Sequence, residues 1–465
     1  MRERFFTLIR NPIEKIIFLA FFSTILFIMA TPYYYLAVVP ALLVVFFIIL
    51  NNNPAFAYYL IIFLIPFGAY RNVSDLKFLK IHWLLAGVLI LYIMFKAFLL
   101  KHMPAQLKSG LWRLMLLLFS VSVISALFSP FKETAFQNVG LFIVAVMFIV
   151  ITMFFTDRDA LFKYLPPIVV YSVSLSALTG VLGYIFNITF FAENVETGQF
   201  KRSIGGSTDP NNYALMIAFS LPLLSEMFDR ARGAPVKLLY LGLFVINILA
   251  VVFSFSRGGA LIISLIMIII FIRHMKKLNL QRMFLQIFII LAVVAITIGA
   301  LPPRYFEHFK KVTDTKTDKS IGRRASYIVV GMETFWSHPV IGTGLGTFRD
   351  IFETTVYARK FAKEGLTNRR FAHNTYLEYL VGVGIFGLIL FMAIIRLIMR
   401  NLISARKNFL KNGETANASY IDAYIFSFIV LLCYLFIFSE PFHKYFLLTA
   451  GLSQAAHRLS LQSNI

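Results

Sequence analysis

The sequence is poor in charge and contains almost no cysteine. Only 14% of its 465 residues are Asp, Glu, Lys or Arg, whereas a soluble domain has about 25%. Hydrophobic residues make up 59% of the chain, more than one core can bury beneath a polar surface. This composition excludes a soluble enzyme, a disordered protein and an ordinary nucleic-acid-binding domain. The single cysteine, Cys433, lies in an apolar run, which excludes a disulfide framework and a cysteine metal site.

Long apolar runs occupy most of the chain. Runs of about 15–20 residues span a bilayer, and they predict about 12–14 transmembrane helices here. The candidate runs lie at 16–30, 33–50, 55–70, 83–100, 111–128, 136–155, 165–186, 211–228, 236–255, 258–273, 283–301, 374–399, 420–438 and 445–458. The last run contains Gln454 and His457, so a helix lying along the membrane surface is the alternative there. We therefore predict an all-α polytopic membrane protein that lies in a bilayer among membrane lipids.

Lysine and arginine are distributed unevenly among the short loops. With the N-terminus inside, the cytoplasmic loops hold most of these residues, and this asymmetry sets orientation in membrane proteins. Both termini are then cytoplasmic. We predict three regions: eleven transmembrane helices with short loops over 1–301, a periplasmic loop region over 302–373, and C-terminal transmembrane helices over 374–465. Because the inside loops are short, we expect the chemistry within the bilayer or on the outer face.

The loop region is basic, and it is the one long segment expected outside the bilayer. A charged, turn-rich stretch runs from Lys310 to Arg324, and a helix-like segment follows from Ala325 to Trp336. At about 70 residues the region is too small for a stable core of its own. We expect it to pack onto the outer surface of the membrane helices.

Two arginines stand near helix starts on this predicted outer face. Arg202 precedes a glycine turn and then Asp209-Pro210, a typical N-cap and first helical residue. Arg257 stands where the next helix opens, and a cation at that end opposes the helix dipole, which favours a bound anion there. Both arginines also have structural interpretations, as a stray residue at a capped helix entry and as an interfacial side chain that snorkels.

A histidine precedes a third helix on the same face. The helix dipole and partial desolvation should lower the pKa of His373 and leave a neutral imidazole. Such a group can accept a proton from a hydroxyl. The alternative is a histidine that caps the helix. The glycines that follow, Gly382, Gly384 and Gly387, also fit close helix packing.

A neutral base combined with arginines suits transfer from a diphosphate leaving group. Guanidinium groups can neutralise the departing phosphate, so we expect neither a metal nor another cofactor. An outward-facing site among apolar helices also suits a donor whose lipid tail remains in the bilayer.

Several of these motifs, in this order, resemble the O-antigen ligase and polymerase superfamily. The pieces are Arg202 to Asn211, Ser256-Arg257-Gly258, Gly322-Arg323 with Tyr327, His338-Pro339 with Gly342 to Phe348, and His373-Asn374 with Gly384 and Gly387. Together they cover residues 200–390, while the first 200 residues match only as generic membrane spans. The family often has Trp where this chain has Tyr327.

The resemblance implies a GT-C-like glycosyltransferase of the bacterial inner membrane with a periplasmic active site. A ligase of this kind moves a glycan from undecaprenyl diphosphate to a hydroxyl of lipid A–core, with inversion and without a metal. His373 would be the general base. The donor diphosphate would be held by Arg202, Arg257 and Arg323, and the site would be supported by Asp209, Asn211 and Asn374. Because Arg324 follows Arg323, the alignment there is ambiguous by one residue.

Two other functions stay open from the sequence. One is a polymerase of the same superfamily, in which a second lipid-linked repeat unit is the acceptor; related members glycosylate pilin-like proteins. The other is a transporter of lipid-linked sugar. Transporters usually carry ionisable residues or broken helices near the membrane midplane, whereas the charged residues here lie almost entirely at helix ends.

Overall fold

A computed structural model describes residues 53–68, 81–101, 104–186, 188, 192–194, 201–207, 209–275, 319–360 and 368–462. Almost all of these residues are helical, because a helix satisfies its own backbone hydrogen bonds in a solvent that offers none. Residues 61–465 form one compact unit, and the described part of the preceding unit, residues 53–60, includes the start of the first helix.

The elements are numbered here in chain order. The helices are α1 Ala55–Phe63, α2 Ile81–Leu100, α3 Leu111–Phe128, α4 Lys132–Phe155, α5 Leu165–Ile185, α6 Pro210–Arg230, α7 Ala234–Ser254, α8 Arg257–Met275, α9 Lys319–Ser337, α10 Phe348–Thr354, α11 Val356–Lys360, α12 Thr375–Lys411, α13 Thr415–Tyr434 and α14 Lys444–Gln462. A 3₁₀ turn covers Ala105–Leu107, and a π-helical turn over Ala160–Tyr164 precedes α5. Strands β1 Ala192–Asn194 and β2 Lys201–Ser203 form an antiparallel pair in which Glu193 stands opposite Arg202.

Six helical segments within the described residues are long and apolar enough to cross a membrane. They are α3, α4, the segment Ala160–Ile185, α7, α12 and α13, while α2 and α8 contain shorter apolar stretches. The all-α polytopic membrane fold is therefore confirmed. The total of 12–14 spans stays a prediction, because the runs at 16–30, 33–50 and 283–301 lie outside the described residues.

Helix α6 is enclosed by other helices. Its residues from Tyr213 to Met227 are buried, and it packs against α5, α7, α8 and α13. Its N-terminus is thereby held among four neighbouring elements, and the side chains at that end are positioned by the bundle rather than by a loop.

Helix α14 is also enclosed, so the alternative of a surface helix for residues 445–458 is wrong. Residues 445–456 are buried, and the helix packs against α4, α12 and α13. Gln454 is hydrogen-bonded inside the protein: its Oε1 accepts hydrogen bonds from Ser109 Oγ (2.7 Å) and Asn401 Nδ2 (2.9 Å). Low hydropathy here reflects protein neighbours rather than exposure to water.

Helix α9 begins earlier in the sequence than predicted. We expected turns up to Arg324, but α9 begins at Lys319, while residues 310–318 lie outside the described residues. The charged first turns can remain helical because one face of the helix is apolar. Tyr327 and Val330 on that face enter a buried cluster, whereas Gly322 and Arg324 remain exposed.

Helices α9, α10 and α11 share a buried core with the start of α12. The cluster contains Tyr327 and Val330 of α9, Phe348 and Phe352 of α10, Ala358 of α11, Ala372, and Leu377 and Val381 of α12. The expected packing of this region onto a membrane helix is thus confirmed for the described residues 319–360. The packing fixes α9 over the end of α12 that follows His373.

The helical conformation of α12 is interrupted at a glycine, and the turn that follows α9 forms backbone hydrogen bonds at this break. Gly384 has φ +66° and ψ −167°, a conformation essentially restricted to glycine. The carbonyls that the break leaves unpaired accept hydrogen bonds from the turn, with Thr343 N–H bonding to Val381 O (3.0 Å) and Gly344 N–H to Gly382 O (2.8 Å). Ile385 N–H donates in return to Pro339 O at 2.9 Å. The glycines of the turn, Gly342 and Gly344, and those of α12, Gly382 and Gly384, therefore let the two backbones pack directly against each other. We call this contact the glycine seam.

Gly384→Ala should destabilise the protein by about 2–4 kcal/mol. An added Cβ would lie 2.3 Å from Val340 O, on a backbone that alanine avoids. The loss would be seen as a lower melting temperature of the purified protein. Gly242→Ala in α7 is the matched control, since a Cβ there meets nothing within 4 Å, and equal melting temperatures for the two variants would contradict this account of the seam.

Candidate functional site

Two helix N-termini meet at the predicted site. Asp209 caps α6: its Oδ1 accepts hydrogen bonds from the backbone N–H of Asn211 (2.7 Å) and Asn212 (2.9 Å), and Pro210 is the first helical residue. Ser256 caps α8, since Gly259 N–H donates to its Oγ at 3.2 Å. The positive ends of two helix dipoles favour an anion in this place.

Ser256 joins the two caps. Its hydroxyl donates to Asn211 Oδ1 at 2.9 Å and lies 3.3 Å from the hydroxyl of Tyr434 at the end of α13. Arg257 therefore follows a residue that is tied to both α6 and α13. The opening of α8 at Arg257 and the N-cap role of Asp209 are both confirmed.

Arg202 on β2 reaches the same junction from another side. Its Nε donates to the carbonyl of Ser254, the last residue of α7, at 2.9 Å. A cation at a helix C-terminus is favourable. Ser254 precedes Ser256 by two residues, so this bond holds Arg202 next to the entrance of α8. At least one hydrogen-bond donor of Arg202 thus has a structural role. This agrees in part with the structural interpretation of Arg202 as a stray arginine at a capped helix entry.

The backbone at His373 is held in an unusual conformation. His373 has φ +49°, the left-handed region that costs about 1–2 kcal/mol for a side chain with a Cβ. Neighbouring bonds fix it: Ala372 N–H donates to the buried Glu378 carboxylate (2.9 Å), and Asn374 N–H donates to Ser439 Oγ (3.0 Å). Strained conformations of this kind concentrate at functional sites.

Asn374, rather than His373, caps α12. The Asn374 side chain accepts a hydrogen bond from Leu377 N–H at 3.1 Å, which rejects the alternative of a capping histidine. The imidazole instead stacks on Tyr327, with ring centroids 5.8 Å apart and planes at 30°. Within the described residues, the His373 ring has no hydrogen-bond partner.

Burial lowers the pKa of His373 to about 4, and the positive charges of Arg324, Arg323 and Arg370 act in the same direction against the carboxylate of Asp209. The predicted direction is confirmed, and burial is its largest cause, as expected. The sequence argument did not anticipate the added effect of the arginines, because it named Arg323 and Arg324 only as candidate donor contacts and did not name Arg370. The imidazole is neutral at pH 7. A negative ligand bound among these arginines would raise its basicity.

Arg323 and Arg324 are adjacent on α9, and Arg324 has several charged neighbours. Partial enclosure lowers the pKa of Arg324, and the charge of Arg257 lowers it further. Arg324 also affects His373 more strongly than Arg323 does. Its side chain remains accessible to solvent, as a group that meets a ligand must be. The sequence favoured Arg323 here, whereas Arg324 interacts electrostatically with both His373 and Arg257.

The structure thus brings His373, Asp209 and the arginines of four separate segments within electrostatic range of one another. Sequence reasoning missed Arg370 and Tyr434, and it carried no signal for them. Tyr434 contributes a hydroxyl at the Ser256 junction, and Arg370 acts on His373 from the segment before α12. Among the described site residues several arginines surround the carboxylate of Asp209, so the site suits a ligand with several negative charges.

A buried histidine supports the N-terminus of α6. His443 Nδ1 accepts a hydrogen bond from Tyr445 N–H at 3.2 Å, which leaves Nε2 to donate to Asn212 Oδ1 at 3.1 Å. Burial and the charge of Lys444 lower the pKa of His443 to about 3, so it stays neutral. His443 thereby helps to orient the N-terminal end of α6.

No cluster of three or more His, Cys, Asp or Glu side chains that could hold a metal ion occurs among the described residues. Residues 242–392 match a family model described as O-antigen ligase. The matched segment includes Arg257, Arg324, His373 and the glycine seam, whereas Arg202 and Asp209 precede it. No curated protein matches the chain.

Proposed function

We propose that this chain is an O-antigen ligase, a membrane glycosyltransferase, and the match of residues 242–392 to the O-antigen ligase model supports this proposal. The donor is a glycan on undecaprenyl diphosphate, and the acceptor is a hydroxyl of lipid A–core on the periplasmic face of the bacterial inner membrane. The observation that carries the proposal is a neutral, strained histidine beside a cluster of arginines at two helix N-termini.

In this reaction the acceptor oxygen attacks the anomeric carbon of the donor while the bond from that carbon to the diphosphate oxygen breaks. His373 removes the proton of the acceptor hydroxyl, a role for which a neutral imidazole is suited. Attack opposite to the leaving group inverts the anomeric configuration. The products are the joined glycan, undecaprenyl diphosphate and the proton held by His373.

The arginines stabilise the leaving group in this proposal. Negative charge grows on the diphosphate as its bond to the sugar breaks, and preorganised cations lower the free energy of that transition state. The charge of Arg257 acts on Arg324, and in this proposal both arginines contact the diphosphate. The helix ends capped by Asp209 and Ser256 add partial positive charge.

A polymerase would use the same donor site, so the acceptor decides between the two activities. Vesicles containing the purified protein and labelled lipid-linked repeat units should be offered lipid A–core. The ligase proposal predicts label on lipid A–core. Label confined to longer lipid-linked glycans would contradict it and identify a polymerase.

The pH dependence of kcat/KM follows from the neutral His373. Because the lowered pKa is about 4, this group is deprotonated and competent above that value and is lost only below it. We expect no fall in kcat/KM near pH 6.5, where an ordinary histidine would protonate. The acidic limb of kcat should lie at higher pH than that of kcat/KM, since bound diphosphate favours imidazolium. A kcat/KM limb near pH 6.5 would contradict the buried geometry.

A further inference from the structure

A concave region lies on the half of α12 that follows its glycine break. It is a groove of about 580 Å³. Its apolar lining includes Met392, Met399 and Ile403, and its basic lining is Arg396, Arg400 and Lys407. These residues recur at three- and four-residue steps, so they form one stripe along the helix. Apolar and basic side chains therefore share a single helix face.

The three cations of this groove are exposed and have no acidic partner among the described residues. The same helix shows what a paired cation looks like, since Arg406 forms an ion pair with Asp422 of α13. The positive charge of the groove is therefore not neutralised by this part of the protein.

The position of the groove follows from helix geometry. Seventeen residues without charge separate Glu378 from Arg396, about 26 Å along a helix and close to the thickness of the hydrocarbon core. Arg396 and Arg400 thus stand near the membrane boundary opposite His373. Met392 lies one turn nearer the membrane centre, while Lys407 lies further toward water.

We propose that this groove binds a phospholipid with an anionic headgroup. The phosphate lies against Arg396 and Arg400, which are one turn apart, and the acyl chain lies along Met392 and Met399. Basic grooves beside apolar surface at a membrane boundary favour acidic lipids. A free anion would gain nothing from the apolar lining, and the lipid-linked donor is assigned to the opposite end of α12.

Lipid retention by the full-length protein tests this site. The protein in detergent should be given phosphatidylglycerol or phosphatidylcholine with the same acyl chains, and bound lipid counted by native mass spectrometry. We expect wild type to prefer phosphatidylglycerol, and Arg396→Gln with Arg400→Gln to reduce this preference about tenfold. The matched control is Lys237→Gln with Lys411→Gln, which removes two exposed charges outside the groove and should retain the preference.

Met399→Trp separates a lipid site from general attraction to charge, because it fills the apolar part and leaves every cation in place. We expect it to reduce phosphatidylglycerol binding as well. Three results would overturn the proposal: an unchanged preference in the arginine variant, an equal loss in the control, or wild-type binding in Met399→Trp.

Discussion

Replacement of His373 by asparagine is expected to slow glycan transfer by about 10²–10⁴-fold, the usual contribution of a general base. Asparagine is the informative choice because it adopts the left-handed conformation more readily than most residues do, and His373 has φ +49°. The variant should therefore insert and fold, while it lacks a group that accepts a proton near neutral pH. Initial rates with saturating donor and acceptor measure the effect.

His338→Asn provides the control for this variant. His338 is an exposed histidine at the end of α9, and its replacement should leave transfer close to wild type. The residual activity of His373→Asn should also lack the fall in kcat/KM at low pH that protonation of His373 causes in the wild-type protein. Turnover near wild type in His373→Asn would remove the general-base assignment.

Loss of a site arginine is the second large effect. Arg257→Ala and Arg202→Ala should each cost roughly 1.5–3 kcal/mol in kcat/KM for the donor, the range for hydrogen bonds to charged groups. Lysine should rescue only in part, since an ammonium cannot reproduce the planar fork of guanidinium. Arg202→Ala also removes the hydrogen bond from Arg202 to the Ser254 carbonyl.

Adjacent arginines allow a sharper comparison on α9. Arg324→Ala should weaken donor use more than Arg323→Ala does, because the charge of Arg324 interacts with both Arg257 and His373. Arg359→Ala is the control, because Arg359 is an exposed arginine of α11. If alanine at Arg257 and at Arg324 leaves donor dependence unchanged, the arginines do not grip the diphosphate.

The sequence was sufficient to locate the membrane helices and several helix ends. Apolar length determines where a chain crosses a bilayer, so the membrane-length helices in the described residues coincide with predicted runs. Local chemistry also determined the caps, since Asp209-Pro210 starts a helix wherever it folds. The position of His373 before a helix and the direction of its pKa shift were also predictable, because helix ends and burial act locally.

Properties that depend on packing could not be read from the sequence. Successive residues on a helix point about 100° apart, so the choice between Arg323 and Arg324 requires the face that α9 turns toward α12. Helix α14 has modest hydropathy because its neighbours are protein, and a hydropathy argument cannot distinguish this from a surface position. Tyr434 and Arg370 become relevant only when α13 and the segment before α12 approach α8 and α9.

The balance between product and released carrier lipid tests the central claim most directly. Purified protein in liposomes, with undecaprenyl diphosphate-linked glycan and lipid A–core but no ATP, should release one undecaprenyl diphosphate for each glycan joined to lipid A–core. Arg257 and His373 variants should lower both quantities together. Passage of intact lipid-linked glycan from one leaflet to the other, with no diphosphate lipid released, would show that the protein moves its substrate without forming a bond.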